Sequence, residues 1–178
     1  MNPYLLIDKY YRESEELKQI LLTHSEAVAE KAVTIVRNHP ELGADANFVY
    51  EAALLHDIGI FMTNAPGIAC KGVYPYIAHG YLGADLLRKE GFEKHALVCE
   101  RHTGTGLSFE MILDRNLPVP HRDMQPQSVE EQIICFADKF FSKSRLNEEK
   151  SIEHIRRSLG KFGEPCVEKF DKWCQSFI

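Results

Sequence analysis

Apolar residues recur at helical spacing along most of the chain, and no pair of alternating runs reads as a strand hairpin. A helix is expected over residues 3–20. Thr23 and Glu26 have capping-box spacing and would open a helix through "HSEAVAEKAVTIVRNH", where Val28, Ala32 and Ile35 share a face. Another helix is predicted from about Asn47 to Ile58, stopped by Gly59 as a left-handed cap. Residues 64–75, "NAPGIACKGVYP", are rich in turn formers and read as loop. "YIAHGYLGADLLRKEG" is helical up to Gly91, and "EKHALVCERH" makes a shorter helix ending near Thr103 and Gly104. The loop "RNLPVPHRDMQPQS" leads to Ser128, which forms a second capping box with Glu131. The helix this opens, "VEEQIICFADKFFSKSR", is apolar at Ile133, Ile134, Phe136, Ala137, Phe140 and Phe141. Helices over about Glu148–Leu159 and Pro165–Phe177 close the chain.

This pattern predicts an all-α class, a single-domain helical bundle of roughly seven to nine helices. The 178 residues fit one domain, with a core over about 20–146 and the helices at 3–20 and 148–177 packed on it. Hydrophobic content of 44% and 26% charged residues are ordinary for a globular chain, and no stretch approaches the apolar length of a membrane span. The N-terminus lacks the basic start and apolar run of a signal peptide, so a cytoplasmic location without a membrane partner is expected. The five cysteines are odd in number and form no CxxC pair, which signals neither a disulfide framework nor a thiolate zinc site. A net charge of -5 argues against a nucleic acid polymer as partner. An anionic small molecule requires only local positive charge, and a homodimer is left open.

Polar residues fall on faces that should be buried. Asp138 has Ile134, Cys135 and Phe141 as its helical neighbours, His79 has Leu82 and Leu86, and His102 has Val98 and Cys99. His24 lies on the side of Ala27, Val28 and Ile35, and adjacent His56 and Asp57 follow the apolar run "AALL". Any one of these could be a satisfied core residue. Six imidazoles and carboxylates from five segments cannot be buried cheaply without a partner, and a metal centre supplies one. The remaining histidines lack this setting: His39, His95 and His154 read as surface or capping residues, and His121 as loop.

The order H, HD, H, H, D resembles the HD superfamily of metal-dependent phosphohydrolases, and "LLHDIG" looks like the signature of its HDIG subgroup. The resemblance runs from about "LLTHSEAVAEKA" to "FADKFFSKSR". It implies that His24, His56, Asp57 and Asp138 bind one metal and that His79 and His102 add ligands for a second. The GYP motif of the cyclic-dinucleotide hydrolases is absent. The dinucleoside tetraphosphate hydrolases are a closer likeness, through His102-Thr103-Gly104 and Arg145.

The resemblance implies two divalent ions per chain, iron or manganese first and Mg, Ni, Co or Zn as alternatives. Held about 3.5 to 4 Å apart, such ions generate hydroxide near neutral pH and clamp the attacking and leaving oxygens. The expected activity is hydrolysis of a phosphate ester or anhydride in a small nucleotide-like metabolite, with Asp57, His102 and Arg145 in catalytic roles. Lys71, Tyr74, Arg122 and Arg145 are the expected substrate contacts, with Tyr76, Arg101, Lys139 and Lys143 as further candidates. Two other readings share the ligand set: a two-iron oxygenase, and a metal-binding sensor without catalysis.

Overall fold

The computed structural model describes residues 2–146 and 148–178, and over these the chain is a helical bundle with one small sheet. Nine α-helices are present among the described residues: α1 (Pro3–Tyr10), α2 (Glu15–Asn38), α3 (Ala46–Leu55), α4 (His79–Lys89), α5 (Glu93–Arg101), α6 (Phe109–Asp114), α7 (Val129–Asp138), α8 (Ile152–Gly160) and α9 (Glu164–Phe177). The all-α expectation holds, and no helix among the described residues is long and apolar enough to cross a membrane.

The N-terminal boundaries differ from the pattern. The helix expected over 3–20 is two helices, and Ser14, not Thr23, opens α2. The Ser14 hydroxyl accepts from the Leu17 amide, while Thr23 sits mid-helix and accepts from the Gln19 side chain. A capping-box spacing inside a longer amphipathic run is therefore read past, because tertiary burial of Leu17 and Leu21 extends the helix. Ser128 does cap α7, accepting from the Glu131 amide.

Two elements were not expected. Residues 63–75 form a three-stranded sheet, in which β1 (Thr63–Ala65) pairs antiparallel with β2 (Cys70–Lys71) and parallel with β3 (Tyr74–Pro75). Strands this short carry no readable alternation. Helix α6 was hidden between turn residues, yet Ile112 is fully buried with Leu107, Val119 and Met124.

Packing brings α2 against α3 and α7, and α4 against α5. One apolar cluster joins Val28, Ala32, Ala53, Ile134, Phe136 and Phe170; a second joins Ile7, Leu21, Leu55, Ile58, Leu87 and Cys99. On α2, Leu21 belongs to the second cluster and Val28 to the first, with His24 between them. His24 therefore lies on the seam between two apolar clusters.

Gly59 is needed for a reason other than the one its sequence context suggests. It lies in a 3-10 segment, Ile58–Met62, and not in a left-handed cap. A Cβ there would overlap the His79 carbonyl oxygen and lie 2.5 Å from the Gly83 amide nitrogen. The absence of side chains at Gly59 and Gly83 lets the segment after Asp57 press on α4. Replacing Gly59 with alanine should overpack this contact, destabilise the fold by about 2 kcal/mol and lower the midpoint of thermal unfolding.

Candidate metal centre

Five segments deliver six inward-facing side chains. His24 comes from the middle of α2, His56 and Asp57 from the end of α3, His79 from the first turn of α4, His102 from the end of α5 and Asp138 from the end of α7. His24, His56, Asp57, His79 and His102 are buried, and the Asp138 side chain is 12% exposed. All but His24 sit at the end of a helix, where the chain turns away and leaves the side chain facing the seam.

The geometry divides the six into two sets that share one carboxylate. Asp57 Oδ2 lies 3.1 Å from His24 Nε2 and 2.9 Å from His56 Nε2. Asp57 Oδ1 lies 3.3 Å from His79 Nε2 and 3.4 Å from His102 Nε2. Asp138 Oδ1 completes the first set, 3.1 Å from His24 Nε2 and 3.4 Å from His56 Nε2. Within each set, the ligand atoms lie within 4.8 Å of one another.

Three of the imidazoles are oriented by their own backbones. The Nδ1 atoms of His56, His79 and His102 donate to the carbonyls of Ala53, Tyr76 and Cys99 at 2.6, 2.6 and 2.7 Å, in each case three residues back. With one ring proton held at Nδ1, Nε2 of each ring points into the seam, where its lone pair is available in the neutral form. His79 Nε2 then meets His102 Nε2 at 3.0 Å, an arrangement that needs a proton or a cation between the two nitrogens. His56 Nε2 and both oxygens of Asp57 are buried without a well-formed hydrogen bond. A donor set of imidazole nitrogens and carboxylates, with its best acceptors unsatisfied, fits divalent metal ions.

Protonation in the protein without metal follows the same charges. Burial pushes the His56 imidazole down, but the carboxylates of Asp57 and Asp138 outweigh it and raise its pKa to about 9. Burial dominates at His79, lowered to about 3, and lowers His102 as well. Burial also opposes ionisation of Asp57 and Asp138, yet their cationic neighbours hold both well below the usual carboxylate range.

Two of those neighbours are lysines. Lys143 Nζ lies 2.5 Å from Asp57 Oδ2, and Lys139 Nζ lies 2.6 Å from Asp138 Oδ2. They reach the site because α7 stops at Asp138 instead of continuing through "KFFSKSR". Lys150 holds the turn, its ammonium donating to the carbonyls of Lys139 and Phe141 at 3.2 and 2.6 Å, and its amide to that of Phe140 at 2.8 Å. A cavity of about 530 Å³ opens over the first ligand set, lined by His24, Asp138, Lys139, Lys143, Lys150 and Tyr76 among others.

The expected substrate contacts are elsewhere. A continuous helix would bring Arg145 near Asp138; because α7 ends at Asp138, the Arg145 side chain is 54% exposed and lies 3.8 Å from Glu148. Arg122 pairs with buried Glu100, its Nε donating at 3.1 Å, and Arg101 pairs with Glu131 at 3.0 Å, so both act as staples. Lys71 and Tyr74 are exposed in the small sheet and do not line the cavity, whereas Tyr76 does and packs on His79 with ring centroids 4.7 Å apart. Lys150 went unremarked in the sequence, since a lone lysine in a polar stretch carries no signal. His95, expected at the surface, is only 12% exposed and packs between Phe48 and Phe92.

A family model described as the HD domain matches residues 21–142. The chain is 35% identical over 158 residues to an uncharacterized protein of Methanocaldococcus jannaschii, covering 88% of this chain and 84% of that protein. It is 33% identical over 160 residues to a tRNA (cytidine(56)-2'-O)-methyltransferase of Thermoplasma volcanium, and 32% identical over 134 residues to one of Picrophilus torridus. Those matches take in 89% and 75% of this chain but only 43% and 35% of the two methyltransferases, so the chain spans less than half of their length. No solved structure matches.

Asp57→Ala should abolish metal binding, because it removes a donor from both ligand sets, whereas His102→Ala should leave the set of His24, His56, Asp57 and Asp138 able to bind; metal content after gel filtration checks both. Because His56 must shed a proton with a pKa of about 9, loading near neutral pH should release protons and metal affinity should weaken as pH falls. Manganese titration in weak buffer, with a pH electrode, reads this directly.

Proposed function

We propose a hydrolytic function for this chain, which belongs to the HD domain family: cleavage of a phosphate ester or anhydride in a small nucleotide-like metabolite. The observation that carries the reading is the sharing of Asp57, one oxygen facing each histidine pair. A carboxylate disposed in this way suits two cations side by side, the arrangement used for in-line displacement at phosphorus. His24, His56, Asp57 and Asp138 would hold one ion, and Asp57, His79 and His102 the other. Divalent ions bound there supply Lewis acidity and lower the pKa of water.

The protein's own groups do the rest. Water oxygen bonds to phosphorus, the bond from phosphorus to the leaving oxygen breaks, and that oxygen takes up a proton; no redox partner is consumed. Lys139 and Lys143 neutralise charge on the phosphoryl oxygens, as charge stabilisation needs little covalent participation from the protein. Burial of the histidines keeps water away from the ligands on the core side, while the cavity admits substrate on the lysine side. The local positive charge attracts phosphate to a protein whose net charge is negative.

The name of the two methyltransferases describes proteins more than twice as long as the stretch they share with this chain. A methyl donor calls for a different site from a buried cluster of imidazoles and carboxylates, and the hydrolytic reading applies to this segment. Since those relatives are named for a cytidine ribose, nucleotide esters are the first substrates to try.

Phosphate release from nucleotides, dinucleoside polyphosphates and sugar phosphates, with manganese or iron added, tests the proposal. Turnover is expected with at least one class, lost in Asp57→Ala and lowered about 10²-fold in kcat/KM by Lys143→Ala. Silence across the panel in metal-loaded protein would sink it, and iron-dependent oxygen consumption would replace it with oxygenase chemistry.

A further inference from the structure

Beside the lysine-lined cavity lies a second one of about 240 Å³, walled chiefly by Leu107, Met111, Leu117, Leu159, Phe162 and Cys166. Tyr76, Gly104, Leu159 and Phe162 line both cavities, and His79 lines the second, so the apolar chamber adjoins the metal centre. Among the described residues, neither a lysine nor a carboxylate lines it. Its one guanidinium, that of Arg115, is already engaged, donating to the Phe162 carbonyl at 2.5 Å and lying 5.7 Å from the Phe162 ring. The hydroxyls of Thr103 and Thr105 supply the remaining side-chain polarity besides Tyr76 and His79.

Chamber and basin thus offer opposite chemistry. The basin holds three ammonium groups beside the carboxylates; the chamber holds hydrocarbon and aromatic surface. An apolar cavity of about 150 Å³ accepts benzene, so a volume of 240 Å³ accommodates one substituted ring system and not two nucleosides. Phe162 is an unexplained large aromatic, 50% exposed where the two cavities meet. Covering it with a ring would remove apolar surface from water and add an aromatic contact. The wall is also preformed: Gly106 has φ of +94°, and a Cβ there would lie 2.6 Å from Pro126 Cδ, so the turn from Thr103 to Leu107 is pressed against the chain behind it.

We infer that this chamber binds the alcohol half of the substrate, a single uncharged aromatic ring system carried on a phosphomonoester whose phosphate occupies the lysine basin. The inference rests on the hydrolytic reading and narrows it, disfavouring dinucleoside polyphosphates, whose anionic chain and second base find no counterpart here. Specificity follows from the leaving group, because burial of the ring is lost for a glycerol or sugar ester.

Phosphonates, whose P–C bond is not hydrolysed, separate binding from turnover. The manganese-loaded full chain is titrated calorimetrically with phenylphosphonate and methylphosphonate. The phenyl compound should bind at least about tenfold more tightly. Met111→Trp, which fills the chamber, should bring the ratio of dissociation constants close to one; Leu117→Gln, which makes its wall polar, should lower the ratio also and serves if the tryptophan variant fails to fold. Equal affinities in the wild-type protein, or a ratio unchanged in both variants, would overturn the inference. Phosphate release from phenyl phosphate is followed in parallel. Silence on phenyl phosphate and on the whole nucleotide and sugar-phosphate panel, with the binding preference intact, would defeat the hydrolytic reading and leave the chamber standing as a ligand site.

Discussion

The structure turns on one buried carboxylate. Asp57 has no exposed surface, and its two oxygens face four imidazole nitrogens and one ammonium. An isolated carboxylate in such surroundings would be neutralised or expelled, because the desolvation cost is several kcal/mol. Here the groups that approach it offset both its charge and that of Asp138 from α7: α2 brings His24, α4 His79, α5 His102, and the chain after α7 brings Lys143. The two apolar clusters close around this point, so the fold and the candidate site are solved together and neither is an addition to the other.

Ending helices at the site is how the bundle achieves this. Had α3 or α5 continued, His56 and His102 would remain on regular helix faces; stopping there leaves each ring bonded to its own backbone, with Nε2 turned inward. The end of α7 matters most. It frees carbonyls that Lys150 then satisfies, and it folds Lys139 and Lys143 over the carboxylates. In this way an acidic protein builds a cationic basin from three lysines drawn from twelve consecutive residues. Arg122, Arg88 and Arg101 are used differently, pinning the loop before α7 and the end of α4 to buried Glu100, and the end of α5 to buried Glu131.

The ligand residues were legible because each violates a pattern. A histidine or aspartate on an apolar helical face is an anomaly visible in one dimension, and six such anomalies in order are hard to reconcile with plain packing. The lysines that line the cavity violate nothing. Lys143 and Lys150 sit in polar stretches where lysine is ordinary, and only a continuous α7 would favour Arg145 over them. The small sheet over 63–75 and the short α6 were likewise invisible, since elements of two, three and six residues carry too little pattern of their own.

Sequence alone determined the helical class, the six metal-ligand candidates and the helices that carry them, because helical periodicity and misplaced polarity are local properties. Tertiary structure decided which Asp57 oxygen faces which histidines, where α7 stops, which cations reach the carboxylates and that an apolar chamber adjoins them. Those outcomes depend on which carbonyls and charges find partners across the fold, and a carbonyl satisfied by Lys150 or a carboxylate met by Lys143 leaves no trace in the spacing of residues along the chain.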